Sequence, residues 1–441
     1  MIRIGAVLGL YLLNLPFADG LFVVLLTLPM LAFVLLGLSR LTSLRFQVGD
    51  MFWVCLFIYF VLSPLQRLHG DRIGGITAIT AYAYERWEYV VAMLIVLVFT
   101  LPFLFVPMQR EEDDLAESAK PGLSLLLIGN VVAFALFSAS EGGLERLLSP
   151  RLEQDPAQTF IASMLFLGVQ SVTACLVSAF VARSRHKLAG LGALLVVLVL
   201  LAIARNPFNA PRFVLLAVWG PVLLALARGR LSAAMFHIAC LLAVTILFPI
   251  LNITTRSGME GLRDLSGIAF VDNLFDIPSI DVFDTAVHAV RFMQGQDFQW
   301  GEKLAAVLLF FVPRAIWPGK PVVGGLDIGN QLFAAGMYGT PNLSFFLGCD
   351  FYMDFGFVGV ALGGILTALL LRWAIRSGAG TFFGLPVLHF VIASSLPILL
   401  RGPVGAVLPL FICQVFVVMV LGAMRGREGR RAHFMTEGAE A

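Results

Sequence analysis

Arginine recurs at places where the apolar sequence around it gives no ordinary reason for a charge. Arg205 and Arg212 bound the turn Arg205-Asn206-Pro207-Phe208-Asn209-Ala210-Pro211-Arg212. Arg256 opens a long polar segment, Arg291 and Arg314 lie within it, and Arg401-Gly402-Pro403 separates two apolar runs. Guanidinium is planar, always charged, and matches two phosphate oxygens at once, so such a set suits a diphosphate. Each arginine taken singly also fits snorkelling or capping at a helix end.

The densest chemistry lies between Gly301 and Gly356, where Pro313-Arg314-Ala315-Ile316-Trp317-Pro318-Gly319-Lys320-Pro321 sets guanidinium, indole and ammonium in one short run. Proline fixes φ and biases the preceding residue toward extended geometry, so this run is a stiff loop. The apolar stretch before it, Leu304 to Val312, is too short to cross a bilayer and either lies at the interface or re-enters. Trp317 serves equally as a platform for a sugar ring or as an interfacial anchor.

Proton-transfer candidates are Asp281, Asp284, His288, Asp327, Asp350 and Asp354. Asp350 opens an apolar span, where a carboxylate is expensive unless it caps a helix or does chemistry. The stretch Ile280 to Phe292 has helical periodicity. Ile280, Phe283, Val287 and Val290 share one face, and Asp281, Asp284, His288 and Arg291 the other, which reads as a solvated face. On it Asp284 would meet His288, and His288 would approach Arg291. No GxSxG, Walker lysine loop, HExxH or metal-spaced histidine pair is present, so no cofactor and no metal is expected. The 5 cysteines lie in apolar runs without CxxC spacing.

Holding such groups is the work of a helical membrane protein. Of 441 residues 59% are hydrophobic and 13% charged, with a net charge of +2. That balance excludes a soluble domain, and no basic tract dense enough for nucleic acid exists. Apolar runs predict an all-α polytopic fold with about 12 transmembrane helices. Residues 1–251 hold about nine spans and residues 345–441 about three with a cytoplasmic tail. Residues 252–344 form a long periplasmic loop with short amphipathic helices. Lysine and arginine in the short loops, most clearly Arg183-Ser184-Arg185-His186-Lys187, place both termini inside and the arginines above outside.

Phe311-Val312-Pro313-Arg314-Ala315-Ile316-Trp317-Pro318-Gly319-Lys320-Pro321, followed by Asp350-Phe351-Tyr352-Met353-Asp354-Phe355-Gly356, resembles the bacterial oligosaccharide repeat-unit polymerases of the Wzy type, which make O-antigen and exopolysaccharide. The Asn206-Pro207 to Arg212 turn and the Arg401-Gly402 turn resemble that family too. Aspartate stands at 350 where the family often carries glutamate. The resemblance covers roughly Arg205 to Arg401 and implies a GT-C-like, metal-independent glycosyltransferase of the inner membrane. Its substrate would be an oligosaccharide on undecaprenyl diphosphate, used at the periplasmic face. The implied roles are catalysis by Asp350, His288 and Arg314, and substrate binding by Arg205, Arg212, Arg256, Arg291, Arg314, Trp317, Lys320 and Arg401. Membrane lipids and a chain-length regulator are the implied partners, and nucleic acid is not.

Two other activities fit the same residues. An O-antigen ligase would pass the same glycan to lipid A core. A transporter or flippase would only bind it, and should line its interior with charge.

Overall fold

The computed structural model describes residues 2–69, 72–73, 82–110, 120–148, 160–183, 187–206, 212–227, 230–242, 280–322, 324–338, 343–377, 380–402 and 404–437. Arg256, residues 207–211 of the arginine-bounded turn, residues 184–186 of the basic marker and residues 252–279 of the long loop lie outside this set. So does the side chain of Arg212.

The chain is mostly helical, with a few two-residue strands. In order the helices are α1 (Ile2–Asn14), α2 (Leu21–Ser39), α3 (Val48–Arg67, with a π turn at Ile58–Leu62), α4 (Arg86–Thr100), α5 (Leu123–Ser140) and α6 (Phe160–Arg183). Next come α7 (Lys187–Ala204), α8 (Arg212–Leu226), α9 (Ala233–Leu242), α10 (Val282–Met293), α11 (Glu302–Leu308) and α12 (Gly324–Ala334). The last are α13 (Leu347–Arg376), α14 (Val387–Arg401) and α15 (Val404–Glu437). Among the described residues 6 helices are long and apolar enough to cross a membrane: α2, α3, α4 with its 3-10 extension to Leu104, α5, α6 and α13. Shorter apolar helices among the described residues are Ile2–Phe17, Leu188–Ala204, Val214–Leu226, Val387–Arg401 and Val407–Ala423. Their near-uniform hydrophobicity around the helix is what a lipid-bathed helix needs.

Contacts gather the chain into two units. The first comprises Met1–Gln109, Ser232–Arg372 and Leu396–Leu408. Its centre is α3, almost wholly buried, whose Phe52 and Phe60 rings meet those of Phe103 and Phe346, with Phe99 between the latter two. The second comprises Arg110–Leu231, Trp373–Ser395 and Pro409–Ala441. There Gln414 donates from Nε2 to the Ser171 hydroxyl at 3.1 Å and to the Ala217 carbonyl at 2.9 Å, and Asn130 donates to Thr173 at 2.9 Å. Buried side-chain amides satisfied across helices are a common means of registering helices in an apolar setting.

Two polar clusters mark opposite ends of α3. At one end Arg3 holds Asp50 at 2.6 and 3.1 Å and also donates to the Leu41 and Arg45 carbonyls. At the other end Arg67 holds Asp284 of α10. From Asp50 to Arg67 a helix rises about 26 Å, close to a hydrocarbon core's thickness.

Candidate functional site

The helix α10 forms where periodicity predicts it, but its polar face is not solvated. Every residue from Val282 to Val290 is buried, Asp284 and Phe283 fully so. Asp284 and His288 meet partners from elsewhere in the first unit. Arg67 donates from Nε to Asp284 Oδ2 at 2.7 Å, with its second nitrogen at 2.6 Å, and neither side chain has exposed surface. Charge so deeply buried is tolerated only when paired. Arg291 donates from Nε to Glu88 Oε1 at 2.7 Å and to the Ala83 carbonyl at 2.8 Å, and lies 4.1 Å over the Tyr84 ring.

His288 sits between two phenols, its Nε2 3.2 Å from the Tyr338 hydroxyl and 3.4 Å from that of Tyr84. Burial, with Arg291 nearby, lowers its pKa to about 3, so the imidazole is neutral. Burial, with Asp284 and Asp281 behind it, pushes the Tyr338 phenol well above its usual value. The imidazole is thus a weak base and the phenol a weak acid. Asp281 lies at the start of the same helix. It is 1% exposed, and its Oδ1 accepts no hydrogen bond. Arg401, half-buried at the end of α14, lies within electrostatic reach of Asp281 and Tyr59. The Tyr59 hydroxyl donates to the Pro397 carbonyl at 3.0 Å, the Ser63 hydroxyl to that of Ile280 at 2.7 Å, and the Phe345 amide to that of Arg401 at 2.5 Å. The end of α3, the start of α10, the end of α14 and the approach to α13 are thereby tied together.

The second group of expected residues surrounds α11. As its prolines require, Pro313 to Pro321 is a series of turns. Lys320 closes it by donating from Nζ to the carbonyls of Leu309, Phe310 and Val312 at 2.9, 3.1 and 3.0 Å. These carbonyls belong to the chain that leaves α11 just past its last residue. Partial burial and the adjacent Arg314 lower the Lys320 pKa, whereas the three carbonyl dipoles favour its charged form. Arg314 is exposed and donates to the Lys320 carbonyl at 2.6 Å, and Trp317 is half-buried.

Asp350 lies 5% exposed in the first turn of α13. Asp354, one turn further, supplies the capping expected of Asp350. It accepts from the backbone amides of Lys303 at 3.2 Å and Leu304 at 2.7 Å, at the start of α11. Asp327 is paired with the buried ammonium of Lys303 at 2.8 Å.

Arg205 and Arg212 belong to the second unit. Arg205 lies 5.1 Å over the Phe137 ring, and its carbonyl accepts from the Trp219 indole at 3.2 Å. Sequence reasoning missed Arg67, Glu88, Tyr59, Tyr84 and Tyr338. The available signal was an ionisable residue at the end of an apolar run, as in Gln66-Arg67 and Arg86-Trp87-Glu88. No group of three potential metal ligands occurs among the described residues. Compared with protein families, with curated proteins and with solved structures, the chain has no match.

Proposed function

We propose that this protein is a bacterial inner-membrane polysaccharide polymerase of the Wzy type, joining oligosaccharide repeat units carried on undecaprenyl diphosphate. The observation that carries the reading is the buried Asp281 carboxylate at the start of α10 within electrostatic reach of half-buried Arg401 at the end of α14, near the end of α3 that loop charges would put at the periplasmic side.

In this reading the acceptor sugar hydroxyl donates its proton to the Asp281 carboxylate as the oxygen attacks the anomeric carbon of the donor. The bond from that carbon to the diphosphate breaks, and the leaving diphosphate takes the electron pair. Arg401, with the exposed Arg314 on the loop, stabilises the charge that develops there, in place of a metal ion. His288, neutral between Tyr84 and Tyr338, fixes the tyrosines rather than taking the proton. Arg67 holds Asp284 so that Asp281 is the carboxylate left for substrate. Trp317 offers a face to a sugar ring. The approximately twelve-span topology, the periplasmic face, the three-part division of the chain, the roles of Arg205, Arg212, Arg256 and Asp350, and a chain-length regulator as partner belong to the same proposal.

The test is Asp281→Asn and Arg401→Ala in the native host. Both should lose polymer while lipid-linked single units still reach the outer face. Normal-length polymer from both variants would overturn the reading.

A transporter of the same lipid-linked sugar is the second reading. The buried pairs Arg3–Asp50 and Arg67–Asp284 at the two ends of α3 favour it, since a translocation path carries charge inside the protein. It predicts that Asp281→Asn abolishes delivery of single units to the outer face.

A further inference from the structure

The helix α13 is 30 residues long, more than a hydrocarbon core requires, and it breaks at Gly356, where φ is 61° and ψ −152°. Only glycine takes this backbone readily, and the Phe298 ring lies 3.0 Å from where a Cβ would stand. The part beyond the break, 357–376, rises about 30 Å, enough to cross the core alone. Its outer face is apolar and uncovered, with Val358 69% and Leu362 61% exposed, and Arg372 and Arg376 close its far end. A span of that length would set the break at one membrane–water boundary, with Asp350 about 9 Å beyond it.

The segment that packs on the break is Phe298 to Gly301. The Gln299 amide donates to the Met353 carbonyl at 3.2 Å and the Trp300 amide to that of Asp354 at 3.0 Å. These bonds hold Trp300 at φ 48°, in the left-handed region that a bulky residue rarely adopts. The result is an indole 77% exposed to its surroundings. Phe298, Tyr352 and Phe357 form a row of rings, with centroids 6.3 and 5.5 Å apart, running from this segment onto the exposed face of α13. From Trp300 the chain continues through α11 to exposed Leu308, Phe311 and Ile316, with the Arg314 guanidinium among them.

We infer that Phe298 to Trp317 is an interfacial anchor, lying in the plane of the bilayer at the level of the phosphates, with Trp300 in the aromatic belt and Arg314 on an anionic phospholipid head. Three observations select a lipid surface as the occupant. The apolar rim is continuous with the uncovered face of α13, helix length sets its level, and its exposed guanidinium complements a phosphate. The strained backbone of Trp300 is kept because an indole placed there is stabilised by the interface on which it rests. The inference stands whether or not the chain is a polymerase.

The experiment is depth measurement by spin labelling of the full chain in vesicles. Nitroxides on Trp300→Cys, Phe311→Cys, Val358→Cys and Gly295→Cys are compared for collision with oxygen and with a water-soluble nickel chelate, the unsubstituted protein correcting for native cysteines. The labels at 300 and 311 should fall between the aqueous label at 295 and the hydrocarbon label at 358, near the phosphate plane. An Ile316→Cys label should lie deeper in phosphatidylglycerol than in phosphatidylcholine, and Arg314→Gln should remove the difference. Chelate access at 300 and 311 equal to that at 295 overturns the inference and points to a protein or glycan partner. Immersion equal to that at 358 overturns it in favour of a re-entrant segment.

Discussion

The guanidinium of Arg67 has no exposed surface and meets the Asp284 carboxylate at 2.6 Å, whereas that of Arg314 is exposed and meets one backbone carbonyl, from Lys320, at 2.6 Å. Both belong to the first unit. Around Arg67 buried or half-buried cations are held by carboxylates: Arg67 by Asp284 and Arg291 by Glu88. Around Arg314 the hydrogen-bond partners are carbonyl dipoles, which orient a cation without cancelling its charge. The first arrangement suits the framework of a site, and the second suits a ligand that brings its own negative charge.

The contrast is broken most directly at Arg67. Arg67→Met leaves Asp284 charged in a dry place, and should cost about 3–5 kcal/mol of stability in detergent. Arg67→Met with Asp284→Leu removes both charges and should recover most of the loss, because apolar replacement of a whole buried pair is often nearly neutral. A double-mutant cycle by thermal or denaturant unfolding reads this. A single-variant loss below about 1 kcal/mol would mean that water reaches the pair, and the comparison would fail.

The α10 cluster should also respond to acid where the loop does not. The pKa of His288 is lowered in the folded protein to about 3, so between there and its unfolded value of about 6.5 the unfolded chain binds more protons. The contribution of His288 is thus fully present above pH 6.5 and is lost as pH falls toward 3, with a slope up to about 1.4 kcal/mol per pH unit. His288→Gln should flatten that slope in a plot of unfolding temperature against pH. An unchanged slope would place the acid sensitivity elsewhere.

Hydropathy was enough to find the helices, since burying apolar residues in lipid depends on local composition. Six helices among the described residues are long and apolar enough to cross a membrane, and α15 continues past Met424 to Glu437 through a polar tail. Proline chemistry likewise marked Pro313 to Pro321 as irregular, though the clamp by Lys320 was not visible. The α10 cluster was illegible for a reason of distance. Arg67 lies 217 residues from Asp284, and Glu88 lies 203 from Arg291. A polar helix face looks the same in sequence whether it meets water or such partners. The cap that Asp354 places on α11 was illegible for the same reason, because the capped helix lies 50 residues away from the one that carries the aspartate.

The smallest effect on stability belongs to Arg314, and it separates the two regions most sharply. Its single bond to a backbone carbonyl is exposed to water, where such a bond contributes well under about 1 kcal/mol. Arg314→Ala should therefore leave the unfolding transition within about 0.5 kcal/mol of the parent. The same variant should abolish polymer if the loop meets a diphosphate, because a guanidinium aimed at developing charge has no substitute there. Arg67→Met, in contrast, should lower activity only as far as it lowers the amount of folded protein. Measuring polymer per folded molecule for the two variants makes the comparison quantitative. Should Arg314→Ala keep full polymer per molecule, the exposed guanidinium serves the membrane surface alone, and the negative charge of the leaving group must be met within the α10 cluster, by Arg401.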